Sequence, residues 1–212
     1  MATKLQKIVE ASGKLGGWMT DEERELLATT ALDRAKGLGE EQWVNWVELG
    51  SYHGKSTVLL AWALKEAKAK GMVYAVDPHT GELSYPRQFD KNGRMVAGEN
   101  TFEAPSFDIF MENLAALKVE GYVEAVVSRA TDVEWNTAIN LLLVDSLHDY
   151  TSVKADYEHY RPFLEHNALV IFHDYSDWQG VNDLVNEKLD DGDFEQLAAA
   201  GSLIVMRFIG AQ

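Results

Sequence analysis

A chain of 212 residues is long enough for one substantial core, and with 4 prolines and no Gly/Ser-rich or low-complexity run it shows no linker that would divide it into two domains. Its 46% apolar and 25% charged residues exclude a disordered or fibrous chain, and no apolar run approaches the ~20 residues a bilayer crossing requires. A formal net charge of −15, from 34 acidic against 19 basic residues with no dense Lys/Arg cluster, excludes nucleic acid as an expected partner.

The first residues, MATKLQKIVEAS, interleave Lys and Glu with apolar side chains and do not read as a secretory signal. The chain has no cysteine, which rules out disulfides and thiolate metal sites. A cytoplasmic protein with no membrane partner is the expectation.

Residues 1–40 carry two helical patterns and are expected to form an N-terminal helical extension. The second opens at Thr20 with Glu23 three positions later, the spacing of a capping box, and Gly37 and Gly39 are expected to end it. From residue 41 onward the pattern changes to short apolar runs. Strands are expected near Val44–Leu49, Met72–Val76, Tyr122–Val127, Leu141–Val144 and Ala168–Phe172, most of them continuously apolar, as parallel strands buried on both faces are. Helices are expected at Ser56–Lys70, Phe107–Leu117, Tyr150–Leu164 and Val181–Leu189. The alternation predicts an α/β, doubly wound, Rossmann-like and mostly parallel sheet over residues 41–212. Phe194–Ala198 and Ser202–Phe208 are too close for a crossover helix and are expected to pair as an antiparallel C-terminal hairpin. Residues 78–105, with Gly81, Pro86, Gly93 and Gly98, show no periodicity and are expected to form a lid or substrate loop at the carboxyl ends of the strands.

The first expected strand runs into Glu48-Leu49-Gly50-Ser51-Tyr52-His53-Gly54-Lys55-Ser56-Thr57 and then a helix. Two glycines on a strand-to-helix turn let the backbone approach a ligand, and the helix start favours an anionic group. Gly54-Lys55-Ser56-Thr57 ends as a phosphate-binding P-loop ends, and Leu141–Asp145 imitates the strand that helps hold magnesium. That motif needs four residues between its glycines, and Gly50 and Gly54 enclose three. A P-loop hydrolase or kinase therefore stands as the alternative, and an ordinary tight turn as the bland one. Asp77, at the end of the second strand, can accept hydrogen bonds from both hydroxyls of a ribose.

Glu48-x-Gly50-x-x-x-Gly54 followed by Asp77 resembles the cofactor signature of class I S-adenosylmethionine-dependent methyltransferases. The resemblance implies a seven-strand sheet with the last strand antiparallel, and a cofactor held by Glu48, Gly50, Ser51, Gly54 and Ser56, with Asp77 on its ribose. Ser128 and Ala130 would lie near its adenine.

Two further segments, Asp145-Ser146-Leu147-His148-Asp149-Tyr150 and Phe172-His173-Asp174-Tyr175, place polar residues directly after buried strands, where open α/β sheets bind ligands. Asp145 and Asp174 with His173 offer hard oxygens and one imidazole, a set suited to Mg2+ or another divalent cation. A helix-capping role for Asp149 or Asp174 is the competing reading. The two segments, together with Asp156, resemble a subgroup of the same methyltransferases related to sugar, macrolide and cephalosporin-type O-methyltransferases. Ser146 stands where that pattern has glycine, and Leu147 where some members carry an aspartate proposed as base. His148 is left as the expected base, since an imidazole accepts a proton near neutrality. Asp145 is expected to serve the cofactor, the metal and the reaction alike.

The expected activity is methyl transfer from S-adenosyl-L-methionine to a hydroxyl of a small-molecule acceptor, with an inactive nucleoside-binding module as a further alternative. His53, His79 and the aromatics Tyr52, Tyr85, Phe89, Trp135, Tyr175 and Trp178 are expected at or near the pocket rim. Whether residues 1–40 cover that pocket or join the chain into a homo-oligomer is open at this point.

Overall fold

Strands that lie between two layers of helices bury both faces, and the central strands here are apolar on both. Val44–Leu49 forms β1, in which Val44 and Trp46 enter one core layer while Val47 and Leu49 enter the other. The computed structural model describes residues 2–38, 42–84, 88–89, 95–97, 100–102 and 104–210, with side chains left aside over 82–84, 88–89, 95–97 and 100–102. The remaining strands of the main sheet are β2 (Gly71–Val76), β3 (Val123–Val126), β4 (Ile139–Val144), β5 (Leu164–Phe172), β6 (Phe194–Ala200) and β7 (Leu203–Phe208). Their spatial order is β6-β7-β5-β4-β1-β2-β3. β1 to β5 run parallel, and β7 is antiparallel to both β5 and β6. This is the expected Rossmann-like, seven-strand sheet with its C-terminal antiparallel hairpin.

Helices α1 (Lys4–Gly13), α2 (Asp21–Gly37), α3 (Thr57–Ala67) and α4 (Phe107–Ala116) cover one face of the sheet. Helices α5 (Tyr150–Tyr160) and α6 (Gln179–Asp190) cover the other. The extension is not a separate unit, because Leu27, Ala28, Ala31 and Ala35 of α2 lie on one stripe in the same core as α3 and β1. Both extension helices start with full capping boxes, Thr3 with Gln6 and Thr20 with Glu23. No helix among the described residues is long and apolar enough to cross a membrane.

Three boundaries differ from the sequence reading by three residues or more. Helix α3 stops at Ala67, not Lys70, because Lys68 turns left-handed at φ 56°. Helix α5 ends at Tyr160, and β5 begins at Leu164 where the periodicity carried the helix onward. The polar residues His166 and Asn167 hide that start, since they stand exposed and Asn167 adopts φ 67°. Within 78–105, the segment expected as a lid or substrate loop, two short antiparallel ladders form, Glu82–Ser84 with Asn100–Phe102 and Gln88–Phe89 with Met95–Ala97. Gly39, Tyr85, Pro86, Gly93, Gly98 and the Phe89 side chain lie outside the described residues.

Candidate active site

The turn after β1 is set by the backbones it must pass. Gly50 sits at φ 87°, donates its N–H to the Val76 carbonyl at 2.9 Å, and runs so close to β4 that a Cβ there would overlap the Asp145 carbonyl. The Ser51 and Tyr52 amides both donate to Asp77 Oδ2, at 2.9 and 2.8 Å, and the His79 amide donates to Asp77 Oδ1 at 2.7 Å. Asp77 thereby ties the end of β2 to the turn. Ser51 Oγ is buried on the wall of a cavity and has no hydrogen-bond partner among the described residues.

Glu48 was expected to touch a cofactor, and the structure puts it behind the turn. It is fully buried, and its carboxyl accepts hydrogen bonds from Ser56 Oγ and from Thr57 Oγ1, the latter at 2.5 Å. Burial pushes its pKa up to about 8, against the pull of those two hydroxyls. Gly54 also stands off the cavity wall: a Cβ there would press on the Phe110 ring at 3.2 Å, so the glycine lets the turn approach α4. Ser128 donates its hydroxyl to the Arg129 carbonyl at 3.1 Å, and its neighbours Arg129 and Ala130 line the wall instead.

At the carboxyl ends of β4 and β5, donor atoms of Asp145, His148 and Asp174 all lie within 4.8 Å of one another. His148 Nε2 is 2.8 Å from Asp174 Oδ2, yet its N–H does not point along that line, so the contact is close without hydrogen-bond alignment. The His148 ring stacks on Trp178 at 4.3 Å. His173, expected among the metal donors, is turned inward instead. Only 4% exposed, it places Nδ1 3.1 Å from Asp145 Oδ1 and 3.3 Å from Asp174 Oδ2, and Nε2 3.4 Å from Glu23 Oε2. Burial opposes a charge on this ring, but the Asp145 and Asp174 carboxylates outweigh it and raise its pKa to about 11. Burial would raise the Asp174 carboxyl, but the close approach and charge of His148 and His173 outweigh it and hold Asp174 well below the usual carboxylate range. Asp149 caps α5 through the Ser152 amide at 3.0 Å, the competing reading of that residue.

Both constellations open into one cavity of about 760 Å³. Gly50, Ser51, Ser56 and Asp77 line it on one side, and Asp145, His148, His173 and Asp174 on the other. Ser146 and Asp156 join the wall, with the Ser146 hydroxyl donating to Asp156 at 2.5 Å. Tyr52 and Trp178 lie on the wall as expected. His53 and His79 do not: His53 stacks behind Tyr52 at 3.8 Å, and His79 is buried against Ser106 Oγ at 2.8 Å. Trp135 packs edge-on against Tyr74 at 4.9 Å, and the Tyr175 hydroxyl donates to Asn186 at 3.2 Å. Lys55, which a P-loop would aim at phosphates, donates to the Gly17 carbonyl at 2.6 Å.

The sequence model of a methyltransferase domain matches residues 47–175, more than half of the chain and the whole of this cavity's sheet edge up to β5. The chain belongs to this methyltransferase family. Solved structures agree on the fold. The O-methyltransferase NovP superposes with a TM-score of 0.70 at 16% identity, covering 88% of this chain and 79% of NovP. TomG from Streptomyces achromogenes, an O-methyltransferase of tomaymycin synthesis solved with SAM, gives 0.61 at 15% identity over 99% of this chain and 92% of its own. The calicheamicin methyltransferase CalS11 gives 0.62 at 16% identity over 96% and 90%.

Among the parts of the methyltransferase's cavity that escaped the sequence reading, two lie near the N-terminus. One is the segment Gly16–Thr20 between α1 and α2, which lies on the wall with Trp18 63% exposed. The other is Glu23, whose place in the capping box already accounted for its residue type.

Proposed function

We propose that this methyltransferase moves the methyl group of S-adenosylmethionine to a hydroxyl oxygen of a small molecule, assisted by a divalent cation. The observation that carries the reading is that a turn tied to Asp77 and a carboxylate–imidazole group share one cavity. A volume of about 760 Å³ suits a nucleoside and a modest acceptor together. The names of NovP, TomG and CalS11 point to the same class of reaction.

The turn fits the cofactor on this chain's own features. The unpartnered Ser51 hydroxyl faces the cavity, and the close passage at Gly50 keeps the wall free of side chains. The Asp77 oxygens gather three amides, two on Oδ2 and one on Oδ1, which leaves about one lone-pair site, on Oδ1, for a ribose hydroxyl. Bound there, the cofactor supplies a methyl on a sulfonium: the acceptor oxygen forms a bond to that carbon, and the sulfur keeps the electron pair of the bond that breaks.

Asp145 and Asp174 would hold the cation, since both are hard oxygen donors on the cavity wall and their atoms converge with His148 Nε2. A cation bound there would lower the acceptor hydroxyl's pKa and orient its oxygen. His148 takes the proton the hydroxyl loses. Stacking on Trp178 fixes its ring, and Asp174 at 2.8 Å stabilises the imidazolium that results.

Calorimetric titration of S-adenosylhomocysteine into wild type and Asp77→Ala, with ATP–magnesium as control, tests the cofactor assignment. Micromolar binding by wild type that the variant loses supports it. Binding of ATP alone sinks it and restores the nucleotide-hydrolase alternative.

A further inference from the structure

The two carboxylates that face the cavity are like charges a few ångströms apart, and something must hold them together. His173 stands beside them, its Nδ1 hydrogen-bonded to Asp145 Oδ1 at 3.1 Å and 3.3 Å from Asp174 Oδ2. What fixes His173 in turn is Glu23, from the first turn of α2.

A capping-box glutamate ordinarily sits on a wet helix start, but Glu23 is 2% exposed. Its Oε2 accepts the Thr20 amide at 2.7 Å, and its Oε1 accepts both the amide and the hydroxyl of Ser202, at 2.6 and 2.8 Å. Ser202 is at the tip between β6 and β7, and the preceding Gly201 leaves room that a Cβ would take from the Glu23 carboxylate. Both oxygens are thus pinned, and the anion cannot swing away. The distance from Oε2 to His173 Nε2 is 3.4 Å, at the long limit of a hydrogen bond, and the contact is buried. Carboxylates at both ring nitrogens hold the His173 ring from two sides in one orientation.

We propose that Glu23 is a positioning residue of the active site: it fixes the buried His173 from behind, and through His173 holds Asp145 and Asp174 converged on the cavity. The N-terminal helices thereby contribute directly to the reaction centre. The proposal rests on the reading that Asp145 and Asp174 bind a divalent cation.

The test is calorimetric titration of Mn2+ into wild type, Glu23→Gln and Ser202→Ala, with S-adenosylhomocysteine titrated into each as a check on the rest of the cavity. Groups that orient metal ligands from behind typically contribute tenfold or more in metal affinity. Glu23→Gln keeps the size of the side chain and is expected to weaken Mn2+ roughly tenfold or more, with the nucleoside affinity within about twofold. Ser202→Ala, which loosens the same anchor but keeps the charge, is expected to bind Mn2+ as wild type does. Equal Mn2+ affinity in wild type and Glu23→Gln overturns the proposal alone. Loss of Mn2+ in Ser202→Ala to the same degree also overturns it, by reducing Glu23 to a structural anchor. Wild type that binds no Mn2+ sinks the cation reading and the proposal with it. If Glu23→Gln does not fold, His173→Gln tests the same link without touching the helix start: weakened Mn2+ supports the proposal, and wild-type affinity overturns it.

Discussion

Gly50 and Asp145 meet backbone to backbone: the Asp145 amide donates to the Leu49 carbonyl at 2.8 Å, and the Asp145 carbonyl occupies the space a Cβ on residue 50 would need. The glycine is therefore required twice, for its φ of 87° and for the approach of β4. Gly50→Ala is expected to cost about 2 kcal/mol or more from the left-handed conformation and the clash together. Thermal melts should fall by roughly 4 °C or more. Binding of S-adenosylhomocysteine should weaken with them. A variant that melts and binds as wild type does would show that the two strands separate freely at this point.

Glu48 makes stability depend on pH. Its folded pKa of about 8 exceeds the 4.5 of an ordinary glutamate, so the folded state holds a proton that the unfolded chain has released. The stabilising contribution is complete below pH 4.5, declines as pH rises, and is gone above about 8. Glu48→Gln has no such dependence. Relative to that variant, wild type should lose roughly 5 °C or more of melting temperature between pH 5 and pH 9. A constant difference across that range would contradict the buried, protonated carboxyl.

Lys55 ties the glycine turn to the segment before α2 through the Gly17 carbonyl. Lys55→Met keeps the aliphatic length and removes that donor. Amide hydrogen exchange over residues 14–20 should then rise severalfold while the exchange of β1 and β4 stays put. No change over 14–20 would mean that packing alone seats the segment.

His148→Gln separates a base from a ligand. As the group that accepts the acceptor's proton, His148 should contribute on the order of 10²–10⁴ in kcat and little to Mn2+ affinity. A parallel loss of Mn2+ binding would move His148 into the cation's donor set, where its atoms also fit.

The parts of this fold that local rules control could be read from the sequence. Thr20 with Glu23 announces a helix start because a capping box is complete within four residues, and β4 announces itself through the unbroken apolar run Leu141–Val144, although it begins two residues earlier at Ile139. Residues 199–201 leave no room for a crossover, so the antiparallel hairpin follows from length alone. The start of β5 could not be read, because the exposed His166 and Asn167 stand between buried Leu164 and Ala168 and interrupt the apolar signal. In the site, the turn and the two polar strand ends were visible as segments, but which histidine converges with Asp145 and Asp174 at the open edge and which lies buried beside them was not. His148 and His173 differ only in which way the chain turns after each strand, and neighbouring residues in the sequence say nothing of that. Glu23 was invisible for the opposite reason, since a local role explained it fully.

Glu23 is 150 positions from His173 and 179 from Ser202. Contacts of such span carry the largest loop-closure cost and form late in folding. The glycine turn and its aspartate, 26 residues apart, can come together early. By span alone, the glycine turn is expected to meet its aspartate before the last hairpin closes against the first helices, so pulse-labelled hydrogen exchange should protect β1 and β2 ahead of the Ser202 amide.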